Sequence, residues 1–348
     1  MTLKEIAALA GVSIGTVDRV IYKRGRVSPE TKAKIEDIIE RFQWTTNPLA
    51  RSLKRRKPYR FCALLPSQSD DTGYWRQMLS GIQNAEKMIA QLGVESHIIE
   101  YDRHNSASFT NAAAGILQSR PDGLIIPPVI PESTLPFIAD VQTEGIPYIF
   151  VDAAIAQMSP CCVIAQDPWK SGYFAAKMLR LAAAAPPYSQ IPGRPFAVLV
   201  EYGGDYHLQK RRDGFLAYAR EADMPVIVRE YPDNGAEPSG QAIEDFLRAQ
   251  NLRTQNSLAG LFVANVMVSR LAAAGAPFNF PVIGYDLTPE NRRLLESGVI
   301  TALISQRPEE QGRQALLNLY RAVVLEQHIP ATIELPINIY FRENLPPA

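Results

Sequence analysis

From residue 60 onward, short apolar runs alternate with stretches of helical spacing, and this alternation constrains the fold more than any other feature. The runs are 60–66 (RFCALLP), 95–101 (ESHIIEY), 123–128 (GLIIPP), 146–152 (IPYIFVD), 196–202 (FAVLVEY), 225–231 (PVIVREY), 259–265 (AGLFVAN), 280–286 (FPVIGYD) and 300–306 (ITALISQ). Ala- and Leu-rich helical patterns separate them, for example over 71–92, 169–185 and 308–326. Continuous apolar strands between helices predict a parallel sheet covered on both faces. The strands are too many for one five- or six-stranded sheet, so two α/β lobes with a cleft between them are expected. The late segment IPATIELPINIYFRENLPP (329–347) should supply strands that cross back between the lobes.

Ligands in such sheets sit beyond the carboxyl ends of the strands. Polar residues stand there: Ser67 and then Tyr74-Trp75 after the first run, Asp152, Asn265, Asp286 and Gln306 after later ones. Arg211 and Arg212 open the helical segment after VLVEYGGDYHLQK. One polar strand end is more often an ordinary cap or turn. Together they make a set of carboxylates, amides, an arginine and two adjacent aromatics. Such a set suits a neutral polyhydroxyl ligand, with hydrogen bonds to hydroxyls and an aromatic face over the ring.

Net charge is zero over 348 residues, but it is split. Residues 1–60 hold 14 Lys/Arg against 6 Asp/Glu, a net of +8 balanced by −8 in the remainder. This asymmetry points to an anionic partner for the N-terminal piece. Three cysteines without C-x-x-C spacing suit a reducing compartment. Met1 leads directly into an amphipathic helix with no apolar signal core, and no run approaches the ~20 apolar residues of a membrane span. A cytoplasmic, soluble protein without cofactor is expected. His97, His104, His207 and His328 have no metal spacing and are expected at the surface or in turns.

Near the N-terminus, GVSIG (11–15) fits G-x-S-x-G, the nucleophile elbow of a hydrolase. That elbow needs a strand before the serine. Instead Leu3, Ile6, Ala7 and Ala10 share one helix face, and Thr2 with Glu5 is a capping-box signature. Gly11 supplies a tight turn, and Ser13 stands where an N-cap belongs. The next helix, 14–22, carries Val17, Val20 and Ile21 on one face. Ser28-Pro29 starts a third, with Ile35, Ile38, Ile39 and Phe42 at helical spacing. This is a helix-turn-helix, with Ser13 capping the recognition helix.

The N-terminal residues of such a helix meet base edges in the major groove. They are Ile14, Gly15, Thr16, Asp18 and Arg19. Arg19 and Thr16 can read a base or bind phosphate, and Ile14 can touch a thymine methyl. Lys4, Lys23, Arg24 and Arg26 are candidate phosphate contacts. In TTNPLARSLKRRKPYR (45–60), Asn47 can cap, Leu49, Ala50 and Leu53 lie close on one face, and five cations fall between Arg51 and Lys57. So short a helix is marginal alone in water, so DNA and a partner copy are expected to stabilise it.

TLKEIAALAGVSIGTVDRVI, RVSPETKAKIEDIIERFQW and NPLARSLKRR together resemble the DNA-binding headpiece and hinge helix of the lactose-repressor (LacI/GalR) family. The resemblance implies a homodimer on a pseudo-palindromic operator of double-stranded DNA. Leu53 then matches the leucine that wedges the minor groove, and Ala50 the small residue between paired hinge helices. Asp18 departs from the usual serine, and Ile14 and Gly15 offer no side-chain hydrogen bonds at the main specificity positions.

The resemblance continues along the chain. VIGYDLTPE is similar to the strand-end motif of periplasmic-binding-protein-like effector domains, with Asp286 as ligand carboxylate. It implies further ligand contacts from Gln306 in LISQRPEEQG, Asn265 in FVAN, Asp152 in FVD, Arg211 in RRDGF, and the Tyr74-Trp75 pair. Pro127-Pro128 and Val266 depart from that pattern, so the ligand need not be the commonest aldose. The domains expected are a headpiece (1–46), a hinge (47–59) and a two-lobe ligand-binding and dimerisation domain (60–348). The C-terminal segment has no apolar heptads of the kind that would build a tetramer, and 181–195 reads as a surface insertion.

A ligand-responsive transcriptional regulator, most simply a repressor controlled by a sugar or similar small polar effector, follows. Two alternatives share the lobes. A solute-binding protein of a transporter would lack the basic first sixty residues. A sugar-processing enzyme would need more than Asp152 and Asp286, which no nucleophile–base set or metal cluster accompanies.

Overall fold

The computed structural model describes residues 1–21, 25–42, 57–67, 73–103, 105–188, 193–201, 206–231, 246, 258–274 and 278–347. The chain divides into two units, Met1–Arg56 and Lys57–Ala348.

In the first unit, helices α1 (Leu3–Ala10), α2 (Ile14–Ile21) and α3 (Pro29–Arg41) start where their caps place them. The Thr2 N–H donates to Glu5 Oε2 at 2.7 Å, and the Glu5 N–H to Thr2 Oγ1 at 3.3 Å. Gly11 ends α1 in the left-handed conformation, φ 70°, where a side chain would be strained. The Thr16 N–H donates to Ser13 Oγ at 3.2 Å, so this hydroxyl serves as a helix cap. Ile6, Ala7, Ala10, Val17, Val20, Ile35 and Ile38 form one small core. Phe42 does not join it. It follows the last turn of α3, half exposed, with the Arg41 guanidinium 5.8 Å from its ring centre.

The second unit holds two six-stranded sheets of the same strand order. Strands β1 (Tyr59–Pro66), β2 (Val94–Tyr101), β3 (Gly123–Ile126), β4 (Tyr148–Val151), β5 (Cys162–Ala165) and β11 (Thr332–Glu334) make the first, in the order β11-β5-β4-β3-β1-β2. Strands β6 (Phe196–Glu201), β7 (Val226–Tyr231), β8 (Gly260–Val263), β9 (Val282–Tyr285), β10 (Ala302–Ser305) and β12 (Asn338–Tyr340) make the second, in the order β12-β10-β9-β8-β6-β7. Every pairing is parallel except β10 with β12. All the apolar runs of the sequence are strands, and the C-terminal segment does add one strand to each lobe. β5 was not anticipated.

Three chain passages join the lobes. β5 leads into helix Pro168–Ala184, which packs in the second lobe. β10 leads into helix Pro308–Val323, which packs in the first. The third runs from β11 to β12. Each lobe is closed by a tight helix crossing at glycines. A Cβ on Gly172 would lie 1.9 Å from the Arg211 carbonyl oxygen, and one on Gly81 1.9 Å from that of Glu309.

Three further expectations are corrected. Helix Tyr206–Glu221 begins five residues before Arg211, so YHLQK is its first turn rather than a loop. Residues 181–184 close helix Pro168–Ala184 instead of opening an insertion. His207 is buried, because that earlier helix start turns it into the lobe.

Candidate functional site

Two aspartates at matching strand ends organise the cleft. Asp152 follows β4 with φ 67°, and Asp286 follows β9 with φ 63°. Aspartate tolerates this left-handed backbone better than most residues. The Asp152 N–H donates to Ile164 O at 3.1 Å, and that of Asp286 to Ile304 O at 2.7 Å. Each lobe therefore aims one carboxylate from the same point of the same strand order.

In the first lobe, helix Tyr74–Ile89 starts at the cleft, and the Tyr74 hydroxyl donates to Asp152 Oδ1 at 2.5 Å. Burial, reinforced by the carboxylates of Asp152 and Asp286, pushes the Tyr74 phenol well above its ordinary value, so it stays a donor. Trp75 packs edge-on against Tyr74, ring centres 4.9 Å apart, and is 7% exposed within the lobe core.

The second lobe places a hydrogen-bonded chain around Asp286. Its Oδ1 accepts the Gln306 N–H at 2.9 Å and its Oδ2 accepts Gln306 Nε2 at 2.8 Å. Gln306 Oε1 in turn accepts from the Arg211 guanidinium. Arg211 also donates to Ala264 O at 2.8 Å and lies 3.9 Å from the centre of the Tyr285 ring. The Tyr285 hydroxyl is hydrogen-bonded to Ser171. Gln306 thus stands between arginine and carboxylate, bonded to both, and only its orientation with Oε1 toward Arg211 satisfies the pair. Burial pushes the Asp286 carboxyl up to about 6, against the opposing effects of the Gln306 amides and Arg211. Arg211 Nε is buried without a protein partner.

Tyr74, Asp152, Asp286, Arg211 and Gln306 are therefore brought together. Asn265 follows β8, and its Oδ1 accepts the Met267 N–H at 3.1 Å at the start of the 3-10 helix Val266–Ala274. Three residues that sequence reasoning missed complete the geometry. Gln311 Oε1 accepts the Asp152 N–H at 2.6 Å, and its Nε2 donates to Gln306 O at 3.0 Å. Asn291 Nδ2 reaches the carbonyls of Val266, Tyr285 and Asp286 at 2.9, 3.0 and 3.1 Å, fixing the backbone on either side of the carboxylate. Gln77 Nε2 donates across the cleft to Leu287 O at 3.1 Å. Only the Thr288-Pro289 helix start hinted at Asn291, whose N–H the Thr288 hydroxyl caps at 3.4 Å. The arrangement offers carboxylate acceptors, amide donors and a guanidinium in largely buried surroundings, which suits recognition of a small polar molecule. Among the described residues no group of three His, Cys, Asp or Glu can hold a metal ion, and no helix is long and apolar enough to cross a membrane.

In the other unit, α2 presents Ile14, 48% exposed, with Gly15 and Arg19 also exposed, and Asp18 half-buried. Thr16 Oγ1 is hydrogen-bonded to Ser13 Oγ at 3.0 Å, and Lys4 is exposed on α1. Lys23, Asn47, Ala50, Arg51 and Leu53 lie outside the described residues.

Residues 2–47 match the model of bacterial regulatory proteins of the lacI family, and residues 62–327 match the periplasmic binding protein domain. The chain belongs to the lacI family of bacterial regulatory proteins. Over 340 residues this lacI-family chain is 26% identical to the HTH-type transcriptional repressor PurR of Yersinia pestis, covering 96% of the chain and 94% of that relative. A Bacteroides fragilis protein described as a LacI transcriptional regulator superposes with a TM-score of 0.71 at 25% identity, over 83% of this chain and 98% of the other. A carbohydrate transporter solute-binding protein from Agrobacterium radiobacter, in complex with D-arabinose, shares the fold, with TM-score 0.70 at 20% identity over 83% and 96% of the two chains. The lacI-family chain is thus a DNA-binding regulator with a small-molecule effector domain.

Proposed function

We propose that the protein is a cytoplasmic transcriptional repressor, without catalytic activity, that binds a pseudo-palindromic operator as a homodimer. A sugar or sugar derivative in the cleft controls it. The observation that carries this reading is the hydrogen-bonded set that links Asp152 of one lobe through Gln311 and Gln306 to Asp286 and Arg211 of the other. A ligand bridging the two carboxylates favours one lobe arrangement over the other, which is what effector control requires. The name of the PurR relative and the D-arabinose in the solute-binding neighbour support repression and a polyhydroxyl ligand respectively.

On DNA, Ile14, Gly15, Thr16, Asp18 and Arg19 face base edges, while Lys4 and Lys23 contact phosphates. Ser13 sets the recognition helix. Asn47, Ala50, Arg51 and Leu53 form the hinge, with Leu53 entering the minor groove. Trp75 and Asn265 complete the ligand pocket. A thermal-shift screen of sugars, sugar alcohols and sugar phosphates, followed by operator binding with each hit, tests the reading. A hit should raise the melting temperature, be recovered unchanged and alter operator affinity. Conversion of the hit to product would replace the reading with an enzymatic one.

A further inference from the structure

The two lobes meet through three passages, and one side chain reaches all of them. Gln166 follows β5 at the first passage and is 5% exposed. Its Nε2 donates to Ser305 O at 3.0 Å, the last residue of β10 before the second passage. The same nitrogen donates to Pro336 O at 3.2 Å, between β11 and β12 in the third. An amide nitrogen carries two hydrogens, so each neighbouring passage receives one. Gln166 Oε1 is buried and has no protein partner.

Lobe opening in a two-lobe protein is absorbed by backbone rotation at a few hinge residues. Here those residues lie in the passages. If the three passages turn by unequal amounts, Ser305 O and Pro336 O move relative to Gln166. At least one of its two hydrogen bonds then lengthens beyond useful range. The bond to Ser305 is buried, where a lost partner is not replaced by solvent, and the bond to Pro336 is part-buried. The exposed tie nearby is weaker: Lys170 Nζ lies 2.9 Å from Glu334 and 3.4 Å from Asp167, an ion pair open to solvent.

We propose that Gln166 is the positioning residue of the inter-lobe hinge. Its amide holds the three passages in register and so sets the balance between this lobe arrangement and more open ones. It acts on the lobes and not on the ligand. The idea rests on the effector-domain reading only for its consequence, a shifted ligand dose for the DNA response.

Amide hydrogen exchange on the full-length protein without ligand tests it, because exchange reports local opening separately from global unfolding. Gln166→Met keeps the bulk and removes both donors. Exchange should accelerate on the order of tenfold in segments 73–78, 286–291, 305–307 and 335–337, given the usual strength of such bonds. Strands β1 and β6, inside the two lobe cores, should keep wild-type protection. Gln166→Glu, of the same length but presenting oxygen to two carbonyls, should give the same pattern and guards against a folding defect peculiar to methionine. Unchanged exchange in those four segments, or equal acceleration in β1 and β6, overturns the proposal. Neither result bears on whether a ligand binds, and a ligand screen that finds nothing leaves the exchange pattern standing.

Discussion

Gln311 holds Asp152 from the far side of a chain passage: its Oε1 takes the Asp152 N–H at 2.6 Å, while its Nε2 binds the carbonyl of Gln306 at 3.0 Å. Gln306 carries the link on to Asp286 and Arg211. A continuous set of hydrogen bonds therefore runs from Tyr74 in one lobe to Arg211 in the other.

Replacing Gln311 by leucine should lower unfolding stability by about 1–3 kcal/mol, since it strands the buried Gln306 carbonyl. Chemical denaturation of the full chain measures this. Wild-type stability in the variant would show that the link carries no energy.

Asp286 makes stability depend on pH. Its carboxyl is raised from 3.8 to about 6, chiefly by burial. A folded acid with a raised pKa holds its proton more tightly than the unfolded chain does. Its contribution is therefore fully present below about pH 4 and is lost as pH rises through about 6, at most about 3 kcal/mol in all. Asp286→Asn should flatten the stability difference between about pH 5 and about pH 8. Ligand binding through the ionised carboxylate should weaken as pH falls through the same range. An unchanged pH profile in the variant would remove Asp286 as its source.

Two glycine-to-alanine changes should differ in sign. Gly172→Ala places a methyl 1.9 Å from the Arg211 carbonyl and should cost about 3 kcal/mol while pushing the Arg211 helix off the cleft. Gly115 lies exposed within helix Ser106–Ser119 with nothing near its missing Cβ, so Gly115→Ala should stabilise by up to about 1 kcal/mol. Thermal unfolding of the two variants compares them directly.

Much of this architecture was legible because its signals are local. The Thr2–Glu5 box, the Gly11 turn and the Ser13 and Ser28 caps each act within three or four residues. The continuous apolar runs marked the buried strands for a similar reason. β5 lies inside an apolar run, CCVIA (161–165), but the strand takes only four of its residues and follows β4 so closely that the run was not read as a strand of its own. Asp152, Asp286 and Gln306 were visible as polar strand ends. Gln166 and Gln311 were not, since the partners that define them, Ser305, Pro336 and Asp152, lie 139 to 170 residues away and their meaning comes from passages that only the folded chain brings together. Phe42 and His207 misled because helical spacing gives a face, while the last turn of one helix and the early start of another decided their exposure.

The most direct test measures operator affinity of the full-length protein, wild type and Asp286→Ala, with and without a ligand found by thermal shift. Wild-type affinity should change at least about tenfold with ligand, a coupling of roughly 1.4 kcal/mol, and should fall steeply with salt. Asp286→Ala should bind the operator as tightly as wild type and ignore the ligand. A protein that prefers no duplex over a simple polyanion, or an Asp286→Ala variant that still responds, would contradict the link between cleft and DNA.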